Sequence, residues 1–218
     1  MNQSIVQVDA FTDTPYRGNP AALCVLNAPR DEAWMQAVAN EMNLSETAYL
    51  VPENNGYRLR WFTPECEIKL CGHATVAAAH LLWQEGHVTP DRPCVFHTLS
   101  GELIATRNGD WIEVSFPAKP PRPAQEPRGL REALGAPPID FGLSDLNYGL
   151  VILESEDAVR ALAPDMTTLK KLPQLGFTVT ARSDDNPYAF ISRFFAPNAG
   201  VDEDPVTGSA HCMLTPYW

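Results

Sequence analysis

Two short segments of this chain combine residue types that could bind an anion and move a proton. Gly72 and His73 open a run of small apolar residues that is typical of a buried helix. Asp204 lies shortly before Gly208 and Ser209, which open a second apolar run. The free N–H groups of a helix start attract anions, and a glycine lets a ligand approach the backbone closely. Histidine and aspartate add groups that can hold or pass on a proton.

Glu46 is the third candidate, at the start of an apolar segment (residues 47–51) that predicts a largely buried strand. A carboxyl group in apolar surroundings can act as both acid and base near neutral pH, because burial disfavours its charged form. The alternative is an exposed glutamate at a strand end, which is the commoner arrangement. Similarly, His73 could serve only to hold its loop, and the acids before Gly208 could serve only as helix caps.

The two helix starts belong to an internal repeat. Arg-Trp-Phe-Thr-Pro at residues 60–64 precedes Gly72, and Arg-Phe-Phe-Ala-Pro at residues 193–197 precedes Gly208. Each copy predicts a strand, a loop and then a helix, at residues 75–83 in the first half and from Thr207 in the second. Such a repeat predicts two similar halves packed face to face. We expect each half to direct a helix N-terminus towards the seam between them.

The repeat sets the expected domain boundaries. Residues 1–116 form the predicted N-terminal lobe, and residues 139–218 form the C-terminal lobe. Residues 117–138 carry seven prolines and are predicted to be a linker. The second half ends soon after its helix start, so we expect its lobe to be truncated.

Composition excludes several classes of partner. The formal net charge of −11 disfavours nucleic acid and anionic membranes but allows a small carboxylate substrate, which backbone N–H groups can bind. No apolar stretch is long enough to span a bilayer and no signal peptide is evident, so a cytoplasmic location is expected. The five cysteines show no paired spacing and predict free thiols. The spacing of Cys66, Cys71 and His73 matches no common zinc pattern, so no metal is expected.

The motifs together resemble one known family, the phenazine-biosynthesis PhzF-like proteins. The resemblance covers nearly the whole chain in the right order and rests on six motifs, at residues 9–12, 18–21, 44–47, 60–64, 71–75 and 204–210. It implies an α+β, diaminopimelate-epimerase-like fold of two pseudo-symmetric lobes, each a curled mixed or antiparallel sheet around a central helix, often in a homodimer. In the phenazine enzyme a glutamate shuttles a proton within dihydro-hydroxyanthranilate without a cofactor. By the resemblance, Glu46 matches that glutamate, while His73, Asp204 and Ser209 match its supporting residues.

Three functional hypotheses follow. The first is an isomerase in which Glu46, His73 and Asp204 are catalytic and Gly72, Gly208 and Ser209 bind a small carboxylate substrate. The second is a non-catalytic binding protein with the same cleft. The third is a thiol enzyme. Related epimerases use one cysteine from each lobe, whereas here Cys71 stands near the first position and Pro205 or Val206 near the second, so a two-thiol racemase is not expected. The substrate cannot be read from these residues.

Overall fold

The chain divides into two compact units, residues 1–117 and 118–218, each of which has its own sheet and core. The computed structural model describes residues 3–183 and 187–218. No helix among these residues combines the length and the apolar character that crossing a membrane requires. All five cysteines are free thiols.

The first unit contains a sheet of eight strands and two helices. In chain order its elements are β1 (Val6–Ala10), β2 (Asn19–Val25), α1 (Glu32–Met42), β3 (Glu46–Glu53), β4 (Gly56–Phe62), β5 (Glu67–Ile68), α2 (Gly72–Gln84), β6 (Cys94–Thr98), β7 (Gly101–Asn108) and β8 (Trp111–Ser115). The strand order is β1-β2-β3-β4-β6-β7-β8, with β5 paired to β4. Strands β2 and β3 are parallel, and α1 is the crossover between them.

This sheet curls around α2. The helix contacts β1 and β8, which stand at opposite ends of the strand order, as well as β2 and β3. A sheet whose two ends both reach one helix must bend around that helix. The sequence of α2 suits this position, because every residue from Gly72 to Trp83 is buried except Val76, which is half-buried, and His80, which is exposed. These two residues are one helical turn apart and lie on the same face of the helix.

Within its described residues (118–183 and 187–218), the second unit contains a sheet of six strands and four helices. Its elements are β9 (Arg122–Pro123), α3 (Leu130–Leu134), β10 (Asp140–Leu143), β11 (Tyr148–Ile152), α4 (Glu156–Arg160), α5 (Met166–Leu169), β12 (Gly176–Arg182), β13 (Phe190–Ala196), a 3₁₀ turn (Pro197–Ala199), β14 (Val201–Asp204) and α6 (Gly208–Tyr217). The strand order is β14-β13-β12-β11-β10-β9. Val151 and Val179 on one face of the sheet belong to a core shared with α3, α4 and α5. Thr180 faces the other way and accepts a hydrogen bond from Trp218, which follows α6.

The proline-rich segment differs from the linker that its composition predicted. Residues 118–138 belong to the second unit and contribute β9 and α3 to it. Leu130 and Leu134 of α3 are buried in the second core, which explains why the segment is packed. Pro123 is compatible with a strand because β9 is at the edge of the sheet, where no further strand needs its missing N–H group.

The two units repeat one topology. In the first, β1 and β2 are antiparallel, β2 and β3 are parallel, and β3–β4 and β4–β5 are antiparallel. In the second, β10 to β14 follow the same pattern of pairing, with α4 and α5 in the crossover. A helix follows in each case, α2 in the first unit and α6 in the second. The repeat predicted from the sequence is therefore present in the connectivity.

One arginine–glutamate ion pair, here called a clamp, is repeated in the two units. Arg60 of β4 makes a bidentate ion pair with Glu67 of β5, with both N···O distances 2.6 Å. Arg193 of β13 makes the same pair with Glu203 of β14, at 2.7 and 2.9 Å. Each guanidinium also lies over the phenyl ring two residues later in its own strand, 5.0 Å and 4.9 Å from the ring centroid. These clamps fix the short strand that leads to each long helix.

Candidate active site

Glu46 is the first residue of β3 and is buried, with 8% of its surface exposed. Alternation along the strand places Tyr49 on the opposite face, where it packs with Met35 and Ala39 of α1. Glu46 therefore lies on the face of the sheet that curls around α2. The alternative of an exposed strand-end glutamate does not describe this side chain.

His73 is the second residue of α2 and is almost fully buried, with 1% of its surface exposed. Its Nε2 atom lies 3.3 Å from Oε2 of Glu46. The same nitrogen lies 3.5 Å from Oγ of Ser45, the residue that precedes β3. Gly72 begins the helix, so its N–H and that of His73 are among the groups without an intrahelical acceptor. The structure thus brings Glu46, Gly72 and His73 together.

Three residues around this pair have contacts that the sequence analysis did not predict. Ser45 donates a hydrogen bond to Oδ1 of Asn19 at 3.4 Å, and Asn19 is buried at the start of β2. Because β2 and β3 are parallel neighbours, with Ala21 opposite Glu46, the N-terminal ends of the two strands lie side by side. Polar residues at the starts of two adjacent buried strands were the signal that could have found Asn19 and Ser45. Cys71 is the third residue.

Cys71 is the N-cap of α2 and its thiol faces His73. The sulfur lies 3.6 Å from Nδ1 of the imidazole, and Glu46 contacts the other ring nitrogen. One ligand atom from each of the three residues lies within 4.8 Å of the other two, which is close enough to suggest a metal site. However, a cation bound to one ring nitrogen would be on one side of the imidazole only, and the thiol and the carboxylate use different nitrogens. The thiol and the carboxylate therefore flank the imidazole, one at each ring nitrogen.

The second unit places its candidates at the equivalent helix start. Asp204 ends β14 and is buried, with 8% exposed, and its Oδ2 accepts a hydrogen bond of 2.6 Å from the hydroxyl of Thr207. Thr207 is the N-cap of α6, Gly208 is the first residue of that helix, and Ser209 is buried next to it. Glu203, by contrast, is engaged with Arg193 and is not part of this group.

The two helix starts can be compared by their N-caps. Cys71 and Thr207 are both N-caps directly before the glycine that begins α2 or α6, so Thr207 occupies the N-cap position in the second unit. The alignment of Pro205 or Val206 with the second cysteine of related epimerases stays a prediction. In neither case is the second residue a cysteine, so the expectation against a pair of opposed thiols is unchanged. That the two groups of candidates share one cleft stays a prediction.

Comparison with known proteins gives consistent similarities. The family described as PhzC-PhzF, phenazine biosynthesis-like protein, matches residues 8–218. A protein of Halalkalibacterium halodurans named as an uncharacterized isomerase is 49% identical over the full chain, which covers 82% of that protein. The crystal structure of a phenazine biosynthesis protein of the PhzF family from Enterococcus faecalis is 40% identical, with a TM-score of 0.83, and is matched over 100% of this chain and 82% of its own. The structure of a probable proline racemase from Agrobacterium radiobacter, 13% identical with a TM-score of 0.65 over 99% of this chain and 76% of its own, is similar in fold alone.

Proposed function

The chain belongs to the PhzC-PhzF family of phenazine biosynthesis-like proteins, and from this premise we propose that it is an isomerase in which Glu46 moves a proton within a small carboxylate-bearing substrate. The reaction needs no cofactor in this proposal. The observation that carries it is the buried Glu46 carboxyl group, 3.3 Å from the His73 imidazole. Its surroundings limit competition from water for the proton.

The proposed chemistry balances with a single acid–base group. The Glu46 carboxylate removes a proton from a carbon next to a carbonyl group or a double bond, and the electron pair moves into the conjugated system. The resulting carboxylic acid then returns the proton to another carbon of the same molecule. Nothing is oxidised or reduced, and the product is an isomer of the substrate. Lobe closure that excludes water would help to keep the proton in place.

The remaining candidates bind and orient the substrate in this proposal. His73 donates a hydrogen bond to Glu46 and orients its carboxyl group, and Asp204 helps to orient the substrate for the proton transfer. Gly72 and Gly208 stand at helix starts, where backbone N–H groups favour a carboxylate, and the Ser209 hydroxyl adds a donor. A homodimer, which the resemblance implies, and a cytoplasmic location, which the sequence features favour, complete the proposal.

The test is solvent deuterium incorporation by the Glu46→Gln variant. Dihydro-hydroxyanthranilate and a panel of small hydroxy- and amino acids are incubated in deuterated buffer and analysed by mass spectrometry. We expect the parent to incorporate deuterium into one or more of these compounds. Glu46→Gln should lose incorporation while it retains binding, because the amide keeps the size of the side chain but cannot accept the proton.

A matched control is available at the other end of the same strand. Glu53 is the last residue of β3 and pairs with Arg58 at the protein surface, so Glu53→Gln should exchange at the parental rate. Exchange by Glu46→Gln as fast as in the parent would refute the role of Glu46. Binding by the parent without any exchange would instead favour a non-catalytic binding protein.

A further inference from the structure

The thiol of Cys71 contacts Nδ1 of His73, the ring nitrogen that does not face Glu46. Cys71 is buried, with 2% exposed, and its sulfur lies 3.6 Å from Nδ1. Its carbonyl oxygen accepts a 2.5 Å hydrogen bond from the hydroxyl of Thr75, which fixes the backbone at this residue. The side chain does not cap the helix, although Cys71 occupies the N-cap position. The thiol is therefore oriented towards the imidazole instead.

The second unit uses its N-cap in the same way. Threonine is a good N-cap because its hydroxyl can accept a hydrogen bond from the first turn of the helix. Thr207 makes no such capping bond and donates to Asp204 at 2.6 Å. At both equivalent positions, the N-cap side chain thus contacts a buried residue that can hold a proton, rather than its own helix. Helix capping does not explain this coincidence, whereas orientation of the neighbouring group does.

The contact with sulfur selects one tautomer of His73. A neutral imidazole has one N–H donor and one acceptor nitrogen. If Nδ1 carried the proton, the lone pair of Nε2 would face the Glu46 oxygen 3.3 Å away, and the two acceptors would repel each other. If Nε2 carries the proton, it donates to Glu46, and Nδ1 accepts from the Cys71 thiol. The Ser45 hydroxyl, 3.5 Å from Nε2, donates its proton to Asn19 and so does not supply a donor to that nitrogen. With Glu46 as a carboxylate and a neutral ring, the second arrangement is therefore the one that suits both contacts.

We propose that Cys71 is a positioning residue that holds His73 in the neutral Nε2–H tautomer, so that the imidazole donates to the Glu46 carboxylate. The inference rests on the proposed function only for its effect on the rate. The tautomer itself is a property of the first unit and can be measured without any substrate. A thiol in this role does not attack the substrate and does not exchange a proton with it.

The test is nitrogen NMR of the full chain labelled with ¹⁵N-histidine, in which the His73 signal is assigned from its loss in His73→Gln. In the parent, we expect a protonated Nε2 and an unprotonated, hydrogen-bonded Nδ1. Cys71→Ala should move His73 towards a mixture of tautomers, and Cys71→Ser should restore the parental state because a hydroxyl can donate in place of the thiol. Cys66→Ala is the matched control and should leave the signal unchanged, because Cys66 is a free thiol on the other side of β5 from Cys71.

Several results would overturn the inference. These are an Nδ1–H tautomer or a doubly protonated imidazole in the parent, an unchanged signal in a folded Cys71→Ala variant, or an equal change in Cys66→Ala. If Cys71→Ala does not fold, a changed tautomer in Cys71→Ser decides against the proposal and an unchanged one supports it.

On any compound that exchanges, kcat should fall roughly 10- to 100-fold in Cys71→Ala with KM unchanged, as for other residues that fix a histidine tautomer. The NMR result and the Glu46→Gln result can fail independently, so each proposal is tested separately.

Discussion

The contact between Glu46 and His73 should be worth much more than an ion pair at the protein surface, and a double-mutant cycle measures it. The two side chains are 10% and 1% exposed, and their closest atoms are 3.3 Å apart. A neutral imidazole N–H that donates to a carboxylate contributes about 1.5–3 kcal/mol. Two full charges at this distance would interact by about 5 kcal/mol at an effective dielectric constant of about 20. We expect the coupling energy to lie in the lower range, because the proposed imidazole is neutral.

The cycle combines Glu46→Gln, His73→Asn and the double variant, with the free energy of unfolding measured in urea near neutral pH at low and high salt. The matched control is the pair of Glu53 and Arg58 in the same sheet, which is close at 2.9 Å but 30% and 59% exposed. Salt should weaken the control coupling and leave the buried coupling nearly unchanged, because ions screen exposed charges far more effectively.

Three outcomes would contradict this reasoning. A coupling below about 0.5 kcal/mol, the usual limit of additivity, would mean that the contact does not stabilise the fold. A salt dependence equal to that of the control would mean that the site is open to solvent. A coupling near 5 kcal/mol would indicate a charged imidazole and would count against the tautomer assigned to His73.

Two further predictions concern the first unit. Burial raises the pKa of the Cys24 thiol to about 11 and that of Cys94 to about 12 from an ordinary value of 9.0. Because the thiols ionise at lower pH in the unfolded chain, the free energy of unfolding should be at its full value below about pH 9 and fall above it, by up to about 1.4 kcal/mol per pH unit for each thiol. Urea titrations from pH 8 to 11 measure this slope, which should flatten in the double variant Cys24→Ala/Cys94→Ala. An equal slope in that variant would contradict the prediction. Gly18→Ala should cost about 1–3 kcal/mol, because the added carbon would lie 2.4 Å from the carbonyl oxygen of Ala10 and 2.7 Å from a methyl carbon of Thr12. Thr12→Ser should not rescue it in thermal unfolding, since the closer clash is with backbone; full rescue would place the strain in the side chain instead.

The parts of the fold that sequence predicted were those with strong periodicity or a repeat. Small apolar residues on nearly every side of the 75–83 segment required a helix with protein around it, and α2 has that environment. The apolar segment at residues 47–51 predicted a largely buried strand, and it lies within β3, whose first five residues are buried. The repeat predicted equivalent connectivity in both halves. These features are local or duplicated, so a single sequence contains them.

The parts that sequence missed depend on partners distant in the chain. β14 contains Asp202, Glu203 and Asp204, which disfavour a strand by propensity, but its pairing with β13 and the ion pair from Arg193 to Glu203 stabilise it there. The proline count of the 117–138 segment hid the leucines that α3 contributes to the second core. The sequence let Cys71 be weighed only as a reactive thiol, and not for its contact with His73, because the direction of an N-cap side chain depends on what lies beside it. A sequence does not reveal that direction.

The repeat also indicates why this scaffold would use one acid–base group and not two. Thr47 lies opposite Phe62 in the first unit, and Phe177 lies opposite Phe195 in the second, so the counterpart of Glu46 is Gly176. A carbon added at Gly176 would lie 2.7 Å from the ring of Phe194 and 3.1 Å from the carbonyl oxygen of Phe195, so this position is crowded for a larger side chain. The N-cap of α6 is a threonine, which is a poor base at neutral pH. In the proposed mechanism the duplicated position therefore supplies no second base, and a single carboxyl group that removes and returns the proton fits a shift within the substrate better than inversion between two opposed bases.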